Sequence, residues 1–286
     1  MRSFSYERPS TLTEAIGLLS APDGGARPLA GGTDLIIRLR DGSIRAGVVV
    51  DVKGVPDLRS RIEVDGERLT IGATTTMTDI AASDVVRRRF LALAEAALVV
   101  GSVQIRNRAT LAGNLCNASP AADTATSLLA FGADVILAGA DGTRRVPLDD
   151  FFVRSGSTTM RPGELMTSIE IPLPRPGTGS VHLRRTRRRG HDLAAVTMSC
   201  VIDGNGAVRL AYGSVGPRPV VFADDSGALA DPKALDEARS AVFARMFAAA
   251  SPSPTSMRAA PDYRFAMLSL LGRRAVGIAR ERAGRA

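Results

Sequence analysis

Cysteine and histidine are scarce in this 286-residue sequence. The two cysteines are Cys116 and Cys200, and the two histidines are His182 and His191. Two cysteines cannot build a disulfide framework, and alone they cannot supply the thiolates of an iron–sulfur cluster. The histidines have no carboxylate and nucleophile set around them, as a hydrolase would require. The sequence therefore predicts no metal site of its own and no catalytic acid, base or nucleophile.

Long apolar segments are also missing. No stretch approaches the roughly 20 apolar residues that cross a bilayer, and the N-terminal residues have no apolar core of the signal-peptide kind. The hydrophobic fraction of 45% is ordinary and excludes disordered and collagen-like classes. We therefore expect a globular, cytoplasmic protein without a membrane span, long enough for two domains.

Lysine is nearly absent from the basic residues, because 35 of the 37 are arginines and the net charge is +8. The densest run, residues 184–189, contains five arginines and no aromatic side chain that could stack on a base. Nucleic acid is therefore not an expected partner. Solvated arginines, contact with an anion or cofactor phosphate, and a subunit interface all stay open for this run.

Strand and helix patterns follow one another without regular alternation, which favours an α+β fold. The spacing of Thr11 and Glu14 is that of a capping box and predicts a helix start. Helical patterns cover residues 80–99, 123–131, 234–250 and 264–280. Strand patterns cover residues 48–52, 69–72, 133–138, 194–203 and 208–215. Proline and glycine concentrate in residues 170–177, which predicts a domain boundary near Pro176.

Two loops rich in small residues are candidate anion sites. In the first, Gly31 and Gly32 can adopt a positive φ and expose backbone N–H groups, which form a nest for a phosphate. An ordinary structural turn is the alternative for this loop. About 80 residues later, a second loop offers a hydroxyl, exposed backbone and an amide at Thr110, Gly113 and Asn114. Two such loops suit a ligand with two phosphates that lies between two lobes.

Asp123 stands at a predicted helix start after Ser119 and Pro120. It is either the N-cap of that helix or an acceptor for a ribose or ribityl hydroxyl, and both roles stay open. The common nucleotide and hydrolase motifs are missing: there is no strand-linked G-x-G-x-x-G, no G-x-x-x-x-G-K-[ST] and no G-x-S-x-G.

At these two loops the chain resembles the FAD-binding medium subunits of molybdenum hydroxylases. These include carbon monoxide dehydrogenase medium chains and the flavin subunits of xanthine dehydrogenases. The resemblance covers nearly the whole chain, in the family's order, and it is specific because many motifs recur together. The motifs stand at residues 9–15, 29–35, 71–75, 104–107, 110–114, 118–123, 162–165, 188–194, 216–219 and 263–264.

The resemblance implies an FAD-binding domain of the p-cresol methylhydroxylase type over residues 1–176. Its two α+β lobes would divide near residues 55–60. A smaller C-terminal α+β domain of the carbon monoxide dehydrogenase flavoprotein type, a three-stranded sheet with helices, would occupy residues 177–286. The family pattern is lost in residues 221–260. Ala112 departs from the glycine that the family more often has there, which would narrow the allowed backbone conformations.

The resemblance also implies positions around a non-covalent FAD. One side of the pyrophosphate would lie against Leu29, Ala30, Gly31, Gly32, Thr33 and Asp34. The other side would lie against Thr110, Gly113 and Asn114. Asp123 would reach the sugar-like part of FAD, Met166 would lie against the cofactor, and Arg184 would lie near the flavin. No residue is placed over the isoalloxazine, where some relatives have an aromatic side chain.

By similarity, the chain is an oxidoreductase subunit. Electrons would leave a molybdopterin centre on a large subunit, cross two [2Fe-2S] clusters on a small subunit, and reach FAD here. Reduced flavin would pass them to NAD+, a quinone or oxygen. The complex would be a dimer of heterotrimers with all metal on the partners, in agreement with the cysteine count. A stand-alone flavin oxidoreductase and a scaffold subunit that has lost FAD are the alternatives.

Overall fold

Three short strands organise the N-terminal part of the chain. The computed structural model of the protein describes residues 2–21 and 25–284. The first elements are β1 (Ser5–Glu7), α1 (Leu12–Leu19), β2 (Ala26–Leu29), α2 (Leu35–Arg40) and β3 (Val48–Asp51). The sheet order is β1–β3–β2, and both strand pairs are parallel. The Thr11 side chain accepts a hydrogen bond from the N–H of Glu14, so the predicted helix start is confirmed.

A second sheet follows after two short 3-10 helices, Val52–Gly54 and Pro56–Leu58. Its strands are β4 (Ile62–Asp65), β5 (Arg68–Gly72), β6 (Asp134–Gly139), β7 (Gly142–Pro147) and β10 (Leu165–Pro172). All four pairs are antiparallel, in the order β4–β5–β10–β6–β7. A small hairpin of β8 (Phe152–Arg154) and β9 (Ser157–Thr158) precedes β10.

Helices fill the connection between β5 and β6. They are α3 (Met77–Ala82), α4 (Asp84–Arg89), α5 (Leu91–Leu98), α6 (Val103–Arg106), α7 (Leu111–Cys116) and α8 (Asp123–Phe131), and α9 (Leu148–Phe151) follows β7. The single helix predicted over residues 80–99 is wrong. Ser83 adopts an extended backbone, and Phe90 leaves the helical region with its ring fully buried. Each residue turns the chain and starts a new helix.

The C-terminal part is an antiparallel meander with helices. Its elements are β11 (Gly179–Arg185), β12 (Val196–Ile202), β13 (Val208–Gly213), β14 (Val220–Asp224), α10 (Asp236–Phe247) and α11 (Pro261–Ala283). The strands pair in chain order. The expected three-stranded sheet is therefore wrong by one strand: β14 extends it, and all but the first residue of β14 lie in the segment that lost the family pattern.

Helix α8 lies between the two halves of the molecule and is buried at every position. One face of the C-terminal sheet packs on α8, where Val201 and Ala211 join the main core of the N-terminal part. The other face packs on α10 and α11 through residues such as Met198 and Cys200. Strand β12 is buried at every position because helices cover both faces of the sheet. Among the described residues, no helix is long and apolar enough to cross a membrane.

Candidate functional site

The first glycine loop lies directly against the segment that precedes α7. A Cβ on Gly31 would stand 2.1 Å from the carbonyl oxygen of Arg108, so only glycine allows this approach. Gly32 has φ +78°, in the left-handed region. Within the described chain, no acceptor is recorded for the N–H groups of Gly31, Gly32 or Thr33. The loop therefore presents free N–H donors beside a left-handed glycine, a backbone arrangement suited to binding anions.

The flanks of this loop are fixed by the fold. Leu29 is the last residue of β2 and pairs with Asp51 of β3. Ala30 packs against the main core. Asp34 occupies the N-cap position of α2 but makes no capping hydrogen bond. The residue as a whole is exposed, but the surrounding chain removes part of the water around its carboxyl. This desolvation raises the pKa of Asp34, and the positive charge of Arg38 opposes the rise.

The second predicted loop is the start of a helix. Thr110 is the N-cap of α7, and its Oγ1 accepts a hydrogen bond from the N–H of Gly113 at 3.2 Å. Gly113 and Asn114 lie in the first turns of the helix, and Gly113 is exposed. Ala112 is helical as well, which is a conformation that alanine adopts readily, so the narrower range of alanine is compatible with this helix.

Side-chain hydrogen bonds join these elements to α8. Asn117, just beyond α7, donates from Nδ2 to Oδ1 of Asp34 at 3.3 Å. Thr124, in the first turn of α8, donates from Oγ1 to Oδ1 of Asn114 at 2.7 Å. The start of α2 therefore meets the end of α7, and the start of α8 meets its middle, although 83 residues separate Asp34 from Asn117.

Asp123 lies beside this region, and each of its two carboxylate oxygens accepts a hydrogen bond. It is the first residue of α8, and Ala122 is the N-cap, so the N-cap role left open for Asp123 is wrong. One carboxylate oxygen, Oδ1, accepts from Thr197 Oγ1 at 2.7 Å, and the other accepts from Arg184 Nη1 at 2.9 Å. Burial raises the pKa of this carboxyl, but the neighbouring His182, Arg184 and Thr197 outweigh it and hold the pKa below its ordinary value.

Arg184 and Met166 lie on two different strands. Arg184, near the end of β11, pairs with Asp123, and its Nη2 lies 3.5 Å from the carbonyl oxygen of Gly190. Met166 lies on β10 opposite Leu137 of β6 and is 4% exposed. Its side chain belongs to the main core.

The loops and their partners fit the two phosphates and the hydroxyls of a dinucleotide such as FAD. Free backbone N–H groups on a glycine loop are suited to phosphate oxygens. A buried, ionised carboxylate at Asp123 is suited to accept from a hydroxyl. The donor set therefore agrees with the cofactor that the sequence implies.

Comparison with known proteins decides the family. The model for the "FAD binding domain in molybdopterin dehydrogenase" matches residues 2–174, and that for the "CO dehydrogenase flavoprotein C-terminal domain" matches residues 182–279. This chain belongs to the FAD-binding medium subunits of the molybdenum hydroxylases. Such subunits are components of molybdenum-dependent dehydrogenases, which are oxidoreductases.

Individual relatives agree with this family. The carbon monoxide dehydrogenase medium chain of Afipia carboxidovorans is 31% identical over 284 residues, 98% of both chains. A putative xanthine dehydrogenase FAD-binding subunit of Escherichia coli (strain K12) is 34% identical over 221 residues, 76% of this chain and 75% of the relative. The structure of reconstituted CO dehydrogenase from Oligotropha carboxidovorans superposes with a TM-score of 0.91 at 30% identity, over 98% of this chain and 99% of that one. The predicted α+β fold with an FAD-binding domain is thus confirmed.

Further polar residues of this flavoprotein subunit have only a weak signal in the sequence. His182, Thr197 and Ser199 are buried around Asp123, and none was a predicted site residue. Residues 194–203 look like a plain apolar strand. The signal lies in the alternation of β12, where Thr197 and Ser199 occupy one face and Met198 and Cys200 the other.

Proposed function

We propose that this subunit binds FAD non-covalently and relays electrons from the [2Fe-2S] clusters of a partner subunit to NAD+, a quinone or oxygen. The observation that carries the proposal is the glycine loop with free N–H groups, seated on the start of α7 in a chain of this family. Bound FAD would supply the two-electron chemistry of this step. The chain itself offers no evident acid, base or nucleophile for it.

In this proposal, the residues of the chain bind and orient the cofactor. The backbone of residues 29–34 holds the pyrophosphate from one side, and the first turn of α7 with Thr110, Gly113 and Asn114 holds it from the other. Asp123 accepts from the sugar-like part of FAD. Arg184 places a positive charge near the flavin, and Met166 supplies an apolar contact.

The proposed partners are a small [2Fe-2S] subunit and a large molybdopterin subunit, in a dimer of heterotrimers. The support is the family and the relatives that are medium chains of carbon monoxide dehydrogenases. Among the described residues there is no group of three or more side chains that could hold a metal ion, so this part of the chain offers no site for those cofactors. A cytoplasmic location stays a prediction of the sequence.

We also propose a domain boundary near Pro176 and a lobe division near residues 55–60. The two family models leave residues 175–181 between them. The two 3-10 helices, Val52–Gly54 and Pro56–Leu58, lie between the parallel sheet and the five-stranded sheet. Both observations support the proposed division.

Two glycines with the same backbone conformation test the FAD assignment. Gly32 has φ +78° and Gly42 has φ +79°, but a Cβ on Gly42 would meet no atom within 4 Å. Valine at either position carries similar backbone strain, whereas only valine at Gly32 lies in the proposed FAD loop, where its Cβ would stand 3.0 Å from Cδ1 of Leu29 and displace the loop. We expect the purified chain to release FAD on acid treatment, G32V to hold at least about tenfold less FAD, and G42V to hold as much as the native chain.

Each other outcome would reject part of the proposal. A colourless native chain that takes up no added FAD would favour the scaffold alternative. Equal FAD occupancy in G32V and the native chain would reject the loop assignment. Turnover of NADH with an artificial acceptor at the rate of the whole complex, by the isolated chain alone, would favour a stand-alone oxidoreductase.

A further inference from the structure

His182 is buried beside the candidate cofactor site. It lies on β11, and its side chain is 2% exposed. Its Nδ1 lies 2.9 Å from Oγ of Ser199, and its Nε2 lies 3.3 Å from Oδ1 of Asp123. Nε2 makes no aligned hydrogen bond to the described residues, so its contact with Asp123 is one of charge rather than of hydrogen-bond geometry.

The hydroxyl groups beyond Ser199 restrict where its hydrogen can point. Thr126 Oγ1 donates to a backbone carbonyl of α8 at 2.8 Å, and Ser127 Oγ donates to a carbonyl of α5 at 3.0 Å. A hydroxyl has a single hydrogen, so these two side chains can only accept from Ser199. They lie 3.0 and 2.9 Å from its Oγ.

The number of hydroxyl hydrogens also assigns a hydrogen to Nδ1 of His182. If the hydrogen of Ser199 pointed to Nδ1, neither short contact with Thr126 or Ser127 would contain a hydrogen. Two buried oxygen–oxygen contacts without a hydrogen are unfavourable. The hydrogen of Ser199 therefore points to one of the two hydroxyls, and Nδ1 donates to Ser199.

The contact between Nε2 and the carboxylate of Asp123 assigns a second hydrogen to the imidazole. A neutral ring with its hydrogen on Nδ1 has a lone pair on Nε2. The carboxylate of Asp123, 3.3 Å from Nε2, attracts a positively charged ring more strongly than a neutral one, whatever the alignment of the N–H bond. A hydrogen on Nε2 gives the ring this positive charge. The geometry thus favours an imidazolium at His182.

The charged groups around this ring carry a net positive charge when His182 is protonated. Asp123 on α8 and Arg184 on β11 form an ion pair at 2.9 Å. Glu95 on α5 accepts from the backbone N–H of His182 at 2.8 Å, but its carboxylate also pairs with Arg282 of α11 at 2.8 Å. Two negative groups therefore face three positive groups when His182 is protonated. An anionic ligand next to Asp123 would balance the difference.

We propose that His182 is a positioning residue of the cofactor site, which as an imidazolium holds the carboxylate of Asp123 in place for FAD. Thr197 and Arg184 fix the two oxygens of this carboxylate by hydrogen bonds, and His182 adds the third contact. The role toward FAD rests on the proposed function, whereas the protonation of the ring does not.

The protonation is measurable without any ligand. The chain has two histidines, so the imidazole ¹⁵N spectrum of the full-length protein holds two sets of signals, which H191N assigns. At neutral pH we expect both nitrogens of His182 to carry a proton. In D123N, His182 should become neutral. A neutral tautomer of His182 in the native chain would overturn the proposal.

The positioning role is measured separately by FAD titration. H182L removes both nitrogens and should raise the FAD dissociation constant about tenfold, as loss of a group that orients a ligand-binding residue does elsewhere. H182Q keeps a neutral donor and should recover most of this loss, and the native dependence of FAD affinity on pH should flatten in it. Native-like affinity in H182L would overturn the role. Absence of FAD binding in the native chain, with His182 protonated, would reject only the proposed function.

Discussion

Gly31 is the residue on which the approach of the two loops depends. Its missing Cβ leaves space that the carbonyl of Arg108 occupies, 2.1 Å from where the Cβ would stand. Because the obstacle is backbone, a larger residue can only push the loops apart. Gly17 in α1 is a matched control, since a Cβ there would meet nothing within 4 Å.

We predict opposite effects for alanine at these two glycines. G31A should lower FAD affinity by about tenfold or more and destabilise the fold by about 1–3 kcal/mol, because it overpacks a backbone contact. G17A should leave FAD affinity unchanged and stabilise the helix by about 0.5–1 kcal/mol. FAD titration and denaturant unfolding check both. A native-like FAD affinity in G31A would contradict the convergence of the two loops.

The ionisation of the Asp123 carboxyl makes the free energy of unfolding depend on pH. Its neighbours lower the pKa of its carboxyl, so its contribution to folding is complete above the ordinary aspartate value of about 3.9 and is lost as pH falls below it. D123N leaves the largely buried guanidinium of Arg184 without its counter-charge. We predict a loss of about 3 kcal/mol of unfolding free energy at neutral pH.

The acid dependence provides the check for this prediction. The difference between D123N and the native chain should shrink as the pH falls below about 4, because the native carboxyl then becomes neutral as well. Urea unfolding at several pH values measures it. A difference that stays constant down to strongly acidic pH would show that the charge of Asp123 is not the cause.

The cysteines should be inert, as expected for thiols that take no part in redox chemistry. Burial raises the pKa of the Cys116 thiol to about 12 and raises that of Cys200 as well. The thiolate is the reactive form. We predict that neither reacts with a thiol reagent at mildly alkaline pH in the native chain, and that both react after denaturation. Cys200 is buried and Cys116 is half-buried, so rapid labelling of either thiol in the native chain would contradict this prediction.

Among the elements, α7 shows how a local signal positions a site. Thr110 is both the cap of this helix and a member of the proposed FAD site. Thr11 caps α1 in the same way, by accepting from the N–H three residues on, but stands outside the site. The two threonines therefore separate loss of a cap from loss of cofactor contact.

We predict that T110A and T11A each cost about 1 kcal/mol of stability, the usual value of an N-cap. Only T110A should also weaken FAD binding, by severalfold, and T110S should restore it. Chemical unfolding and FAD titration of the three variants measure these effects. Equal FAD affinities in T110A and T11A would remove Thr110 from the site.

The elements also show where sequence patterns succeed and fail. Helix α8 and strand β5 were predictable because their periodicity and boundaries are local. The breaks at Ser83 and Phe90 were not, because the residues on either side continue the helical pattern. The extra strand β14 was missed because its partner β13 supplies the hydrogen bonds that make it a strand.

Over the whole molecule, α8 joins the two halves. Its burial is shared between the five-stranded sheet and the C-terminal sheet, and Asp123 at its start pairs with Arg184 of the latter. A chain cut at residue 176 would expose the surface that normally packs on β12 and β13. Contiguous apolar surfaces of this kind promote aggregation.

We predict that the full chain unfolds in a single cooperative transition and that residues 1–176 alone are insoluble or molten. Calorimetry of the full chain, and circular dichroism with dye binding on the fragment, check this. Two separated transitions, or a soluble fragment with native near-ultraviolet signals, would show that the halves fold independently.

The sequence by itself determined the family, the α+β class, the glycine loop and the absence of cysteine clusters, because motif order and residue types are properties of the chain alone. Only the tertiary structure decided that Gly31 meets Arg108, that Asp123 is paired rather than capping, and that His182 lies beside it. Such contacts join residues 59–77 positions apart. Their energies depend on burial and on neighbours that no local pattern specifies.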